Sequence, residues 1–278
     1  MVPPSLFAGL VDDAALFPPG NAPMQQALAE HATHRTAWYA GTVGPFLCPA
    51  SRVDELLDTL PADQRLDLSL VFDVVGDGAH HALRAVGADG RVTLVAVEAP
   101  HARLGDDAAT VGGNLARLPD VTGYLEVPRT GFDAALDLVP ASGWHAAKYR
   151  TGGTAAETFP TEPELADFLL TATVRGVPFK LTAGLHHAVR HTGDGTGFEH
   201  HGVLNVLVAT RVAQTGGSRD EVVAALAERR AGHLVPFVQD WDQDTATVVR
   251  GAFRSFGCCG VTDPIDDLAV FGLLGGAR

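Results

Sequence analysis

Lysine is almost missing from this chain. In 278 residues only Lys148 and Lys180 occur, so arginine supplies the other 18 of the 20 basic side chains. Lysine is commonest on solvent-facing helices, and none lies on the helical segments here, so a general solubilising role does not account for the two that remain. Cysteine is scarce as well. Cys48, Cys258 and Cys259 make an odd count with no framework spacing, which argues against a disulfide scaffold. It favours a reduced, cytoplasmic setting with the adjacent pair as free thiols. No run reaches the roughly 18 uninterrupted apolar residues of a membrane span. The segment "MVPPSLFAGLVDDAALF" has no basic stretch ahead of an apolar one, so no secretory signal is expected. Positive charge is in deficit. A net charge of −13 argues against the basic face of a nucleic-acid scaffold, while a locally positive site for an anion stays open. Low-complexity tracts and Pro/Ser linkers are missing, and no G-x-G-x-x-G follows the first apolar run, against a dinucleotide-binding sheet.

What is present is alternation. "LFAGLVDDAALF", "GTVGPFLCP", "LDLSLVFDVV", "RVTLVAVEAP", "VTGYLEVP", "HAAKYRTGG", "VPFKLTAGLHH" and "VVRGAFRSFGCCG" are strand-like, and an amphipathic helical stretch follows each. Ser51 stands where an N-cap would start the helix "SRVDELLDTL". Near-continuous apolar strands alternating with helices indicate a parallel sheet covered by helices. Eight such units across residues 1–278 favour an α/β fold of one domain, a single (β/α)8 TIM barrel. The segment 214–250 adds "RDEVVAALAERRAG" and "LVPFVQDWDQD", so the seventh βα unit is enlarged.

In such a barrel the active site lies at the C-terminal ends of the strands. Asp12 and Asp13 end the first run, Asp73 the third and Glu98 the fourth. Glu126 lies in the fifth, Lys148 and Arg150 in the sixth, and Lys180 in the seventh, ahead of His186 and His187. The two lysines therefore fall on adjacent strands. Inward register would bring them together at the mouth. Guanidinium stays protonated, but an amine can lose its proton and attack a carbonyl to form a Schiff base. A second lysine nearby, together with burial, would lower the first one's pKa. The other reading is that both lysines are plain anchors for an anion. Glu126 and Asp73 read equally well as arginine partners around the mouth, and Asp12 and Asp13 as turn formers.

The strand ends "VDDAALFPP", "FLCPASRVDELL", "GYLEVP", "KYRTGG", "FKLTAGL" and "FRSFGCCGV" match, in order, I-D-H-T-L-L-K-P, V-C-V-N-P, I-I-E, K-T-S-T-G, V-K-A-S-G-G-I and R-I-G-T-S-S-G. In this the chain resembles the deoxyribose-phosphate aldolase group of class I aldolases. The resemblance implies a lyase that makes or breaks a carbon–carbon bond beside a carbonyl, without a cofactor. It implies that Lys148 is the Schiff-base lysine, Lys180 the neighbour that perturbs it, and Asp12 part of the acid–base network. Glu98 is the nearest counterpart of the family's acidic residue on strand four. Two stretches depart from the pattern: "AGLHH" replaces G-G-I, and Cys258-Cys259 replaces Ser-Ser. In the family these regions help bind the substrate phosphate, so the substrate expected here is a small carbonyl compound, with Arg150 placed to meet a carboxylate or phosphate. Arg150, Thr151, Glu126, His186 and His187 are the expected substrate contacts.

Five of the twelve histidines crowd residues 186–201: His186, His187, His191, His200 and His201, with Asp194 and Glu199 beside them. This invites a second reading, a metal-assisted hydrolase or isomerase. Neither H-x-H nor H-E-x-x-H occurs in the stretch, so no metal ligand is assigned. The plainer expectation is a mobile, solvated lid containing Gly193, Gly195 and Gly197. A third reading is a non-catalytic barrel that holds a small anion through Lys148, Arg150 and Lys180. No nucleic-acid or membrane partner is expected, and a homo-oligomer is compatible with these features.

Overall fold

Seven short strands, β1 (Val11–Asp13), β2 (Val43–Pro49), β3 (Leu66–Val71), β4 (Val92–Pro100), β5 (Thr122–Glu126), β6 (Ala146–Arg150) and β7 (Phe179–Thr182), are joined by helical crossovers. A two-stranded hairpin of β8 (His191–Thr192) and β9 (Glu199–His200) follows, and β10 (Phe253–Cys258) completes the set. In the computed structural model, which describes residues 2–118 and 120–275, β1 to β7 and β10 form a closed barrel. Every neighbouring pair is parallel, and β10 lies between β7 and β1. This is the (β/α)8 barrel expected from the alternating pattern. The seventh unit is enlarged, as its length implied. Between β7 and β10 lie the hairpin and the helices Val203–Gln214, Arg219–Ala227, Ala231–Gln239 and Gln243–Ala252. Among the described residues no helix is long and apolar enough to cross a membrane.

Strand periodicity decides which side chains enter the barrel. Successive residues of a strand point to opposite faces. On β6, Tyr149 faces outward, stacks on Phe168 of the helix Glu162–Val174 with ring centroids 4.2 Å apart, and is fully buried. Its neighbours Lys148 and Arg150 must therefore face inward. On β7, Phe179 contacts Phe168 and Phe253 on the helical side at 5.4 and 5.5 Å, which turns Lys180 and Thr182 inward. Burying each such apolar side chain stabilises the fold by about 1.5–3 kcal/mol. Turning Lys180 out would therefore lose two aromatic contacts as well as bury a charge among them. The crossover helix before β7 is fixed at its start by a capping box: the Thr161 side chain accepts from the Glu164 amide, and Glu164 accepts from the Thr161 amide.

Two local readings are corrected. Ser51 does not cap a helix. It lies in a single 3-10 turn, Ala50–Arg52, and both its amide and its hydroxyl donate to Asp73. Residues 248–252, read as the start of the last strand-like run, are helical and end the helix Gln243–Ala252. Asp242 accepts from the Thr245 amide at 2.8 Å to start it, and Ala246 and Val249 face the core.

Candidate active site

The barrel interior is charged. Lys148 Nζ lies 2.8 Å from Glu98 Oε2 and 3.1 Å from Glu126 Oε2. Lys180 Nζ donates to Glu98 Oε1 at 2.5 Å and to Asp12 Oδ2 at 2.6 Å. Arg150 donates to Glu126 Oε1 at 3.0 Å. Glu98 thus stands between the two lysines, one on each carboxylate oxygen. Three carboxylates meet three cations, so the network is neutral. That balance is required where isolated charges would each cost several kcal/mol to desolvate. Hydroxyls complete it: Ser69 donates to Glu98 at 2.8 Å and Ser255 to Asp12 at 2.8 Å. Lys180 also lies 5.0 Å from the centre of the Tyr124 ring, a favourable cation–π distance. Gly44 on β2 makes room for Asp12, since a Cβ there would fall 2.1 Å from Asp12 Oδ1.

The register explains the convergence. Glu126 pairs with Lys148 across β5–β6, and Lys148 pairs with Lys180 across β6–β7, so three charges share one row. Glu98 and Asp12 reach that row from β4 and β1.

Burial alone pulls the Lys148 ammonium down, but Glu126 and Glu98 outweigh it, and the group is held above its ordinary value. Lys180 is raised in the same way, burial being overcome by Asp12 and then Glu98. Burial pushes Glu98 up, yet Lys148 and Lys180 keep it well below the usual carboxylate range. Glu126 is lowered too, with Lys148 and Arg150 overcoming its burial. Asp12 differs, for burial dominates and its carboxyl is raised. The expectation that Lys180 would depress Lys148 is corrected here. Lys180 does oppose the charge on Lys148, but the two carboxylates at 2.8 and 3.1 Å outweigh it and decide the sign.

A cavity of about 790 Å³ opens above this network at the C-terminal ends of the strands. Lys148, Glu126, Arg150, His186 and His187 line it, as expected of site residues. Lys180 does not. It is 0% exposed and, with Asp12, borders a second cavity of about 250 Å³ together with Gly9, Tyr124 and Arg254. The two lysines therefore meet on Glu98 inside the barrel, below its mouth. Thr151 is also corrected as a substrate contact. It is fully buried, and its hydroxyl donates to the Ala183 carbonyl at 2.5 Å, tying the end of β6 to the turn after β7.

Several cavity residues gave no sequence signal: Phe17, Leu47, Val71 and Phe159 form apolar wall, and Arg103 adds a cation. His200 and Cys259, noted in the sequence but given no place at the site, also line it. Ala183 lines the cavity with a φ of 62°, a left-handed conformation that a non-glycine residue adopts at a cost. Arg103 donates to the Asp73 carbonyl at 2.8 Å, so Asp73 is held by Ser51 and Arg103 at the rim.

The crowded histidines take separate polar partners, although the His187 and His191 rings still meet at 4.4 Å. His186 pairs with Asp263 at 3.0 Å and His187 with Asp267 at 3.0 Å. The rings of His191 and His200 stack at 4.9 Å. His201 lies inside, its Nε2 2.8 Å from the Pro160 carbonyl, where burial lowers its pKa to about 4. Among the described residues no three histidine, cysteine, aspartate or glutamate side chains gather as a metal site. The segment expected to be a loose lid is a pinned hairpin. The largely buried Arg190 pairs with Glu162 at 2.9 Å and with Glu199 at 3.2 Å. No protein-family model matches the chain, and no curated protein matches it.

Proposed function

We propose that the protein is a lyase of the class I aldolase type, acting on a small carbonyl compound through an imine on Lys148. One observation carries this reading: of the two lysines, only Lys148 lies on the wall of the large cavity, at the strand ends where barrel enzymes place their chemistry. Its contacts support the roles. The Lys148 ammonium loses its proton to water in the cavity, and the amine adds to the substrate carbonyl. Glu126 then relays a proton from solvent to the departing hydroxyl, so that water leaves and a protonated imine remains. That cation draws electrons from the adjacent carbon–carbon bond. No donor meets Glu98 Oε2 at hydrogen-bonding geometry, so charge more than directed bonding holds Lys148 on that side. Lys180 and Asp12 act as positioning residues, fixing Glu98 from below. Arg150, half-exposed at the cavity, is suited to a carboxylate or phosphate on the substrate.

The test is reductive trapping. A panel of short aldehydes and ketones is incubated with the protein and borohydride, and the intact mass is read. The expected result is a single adduct mapped to the peptide carrying Lys148, and its loss in Lys148→Arg. Unmodified protein with every carbonyl would refute the reading.

A further inference from the structure

A second nucleophile faces the same cavity. Cys259 Sγ lies 3.6 Å from His186 Nε2, and the other ring nitrogen, Nδ1, lies 3.0 Å from Asp263 Oδ2. All three residues line the cavity wall. From this geometry we infer that Cys259, His186 and Asp263 form a nucleophile–base–orienter triad that takes acyl groups from small esters or thioesters.

The three roles follow from placement. Cys259 is partly exposed, whereas Cys48 and Cys258 are buried, so only one of the three thiols can meet a ligand. Cys258, one residue earlier, is buried; its sulfur donates to the Gly260 carbonyl at 3.1 Å and lies 3.6 Å from His186 Nδ1, on the Asp263 side of the ring. Asp263 belongs to the first turn of the helix Thr262–Val270, and its carboxylate orients the ring so that Nε2 faces sulfur. Gly260 leaves space for it, since a Cβ there would fall 2.3 Å from Asp263 Oδ2. Asp263 is the largest cause of a rise in the His186 pKa to about 12, with Cys258 and Cys259 next. At neutral pH the ring therefore carries its proton, as the imidazolium that pairs with a thiolate nucleophile. The arrangement is separate from the Lys148 network and does not depend on imine chemistry there.

The steps balance. Cys259 sulfur attacks the acyl carbon as a thiolate paired with the His186 imidazolium. The bond from that carbon to the leaving oxygen or sulfur breaks, and the leaving group takes the proton from His186. The acyl group remains as a thioester on Cys259. Water then attacks this thioester while His186 accepts its proton. The carboxylic acid leaves, and the thiolate–imidazolium pair is restored. Phe17, Leu47, Val71 and Phe159 on the wall suit a short apolar acyl chain.

The probe is p-nitrophenyl acetate with the full-length protein. The expected result is a burst of one nitrophenolate per chain, a mass gain of one acetyl group, and its location on the Cys259 peptide. Cys259→Ser should lose the burst. His186→Gln should keep the fold, read by near-UV circular dichroism, while the burst slows by about 10²–10⁴-fold, the usual contribution of a positioned base. Acetyl spread over several residues, an adduct on Lys148 in place of Cys259, or His186→Gln acylating at the parent rate would overturn the triad. Borohydride trapping reads Lys148 separately, so the two assignments fail independently.

Discussion

Removing Lys180 isolates one carboxylate and spares the other. Glu98 keeps Lys148 at 2.8 Å when Lys180 is replaced by methionine. Asp12 keeps only the Ser255 hydroxyl, because Lys180 at 2.6 Å is its one cation partner among the described residues. Breaking a buried pair by deleting one partner costs about 3–5 kcal/mol. With a urea m-value near 3 kcal/mol/M, Lys180→Met should lower the unfolding midpoint by roughly 1–1.7 M at pH 7. The penalty has a pH signature. A carboxyl whose folded pKa exceeds its unfolded value of about 3.9 costs stability that grows as pH rises above that value. Burial already raises Asp12 with Lys180 present, and more so without it. Up to about 2.7 kcal/mol of the deficit should therefore disappear between pH 7 and pH 5, at 1.36 kcal/mol per unit. The sharper check is a reversal of sign. Asp12→Asn should destabilise the parent, where it removes an acceptor from Lys180, and should stabilise Lys180→Met, where it removes a stranded charge. Urea titrations of the four proteins at both pH values, followed by far-UV circular dichroism, measure this. If Asp12→Asn destabilises Lys180→Met as much as it does the parent, or the deficit is the same at both pH values, the network does not work as described.

Two further outcomes follow from the site. Because Glu126 and Glu98 hold Lys148 above its ordinary value, the free amine is a minor species at neutral pH, and its fraction rises about tenfold per pH unit below that value. Imine trapping should therefore accelerate by roughly that factor per unit from pH 6 to 8, and a flat rate would show that the amine is already free. Gly44→Ala places a Cβ 2.1 Å from Asp12 Oδ1. Overpacking of this kind costs about 1–3 kcal/mol, to be read as a lowered urea midpoint, and an unchanged midpoint would show that Asp12 has room to move.

The strand ends carried much of this before any coordinates. Lys148, Glu126, Arg150, His186 and His187 were legible as cavity residues because a parallel barrel fixes which end of a strand is functional, and alternation around Tyr149 fixes the face. Thr151 was misread because its polarity suited a ligand. Only the path of the turn after β7 puts the Ala183 carbonyl in its reach. Cys259 looked like a substituted serine with no assigned role, since His186 comes from the turn after β7 and only the start of the helix Thr262–Val270 brings Asp263 to that ring.

The order of elements, the closed α/β architecture and the scarcity that singled out two amines belong to the sequence, because periodicity and composition are local properties. The tertiary structure alone decided which charges meet. Lys180 and Asp12 are 168 positions apart and become neighbours only when β10 closes the barrel between β7 and β1. The sign of the shift at Lys148 has the same origin. Coulomb attraction depends on separations of a few ångströms, and the register of four strands sets Glu98 and Glu126 close enough to that amine to outweigh Lys180.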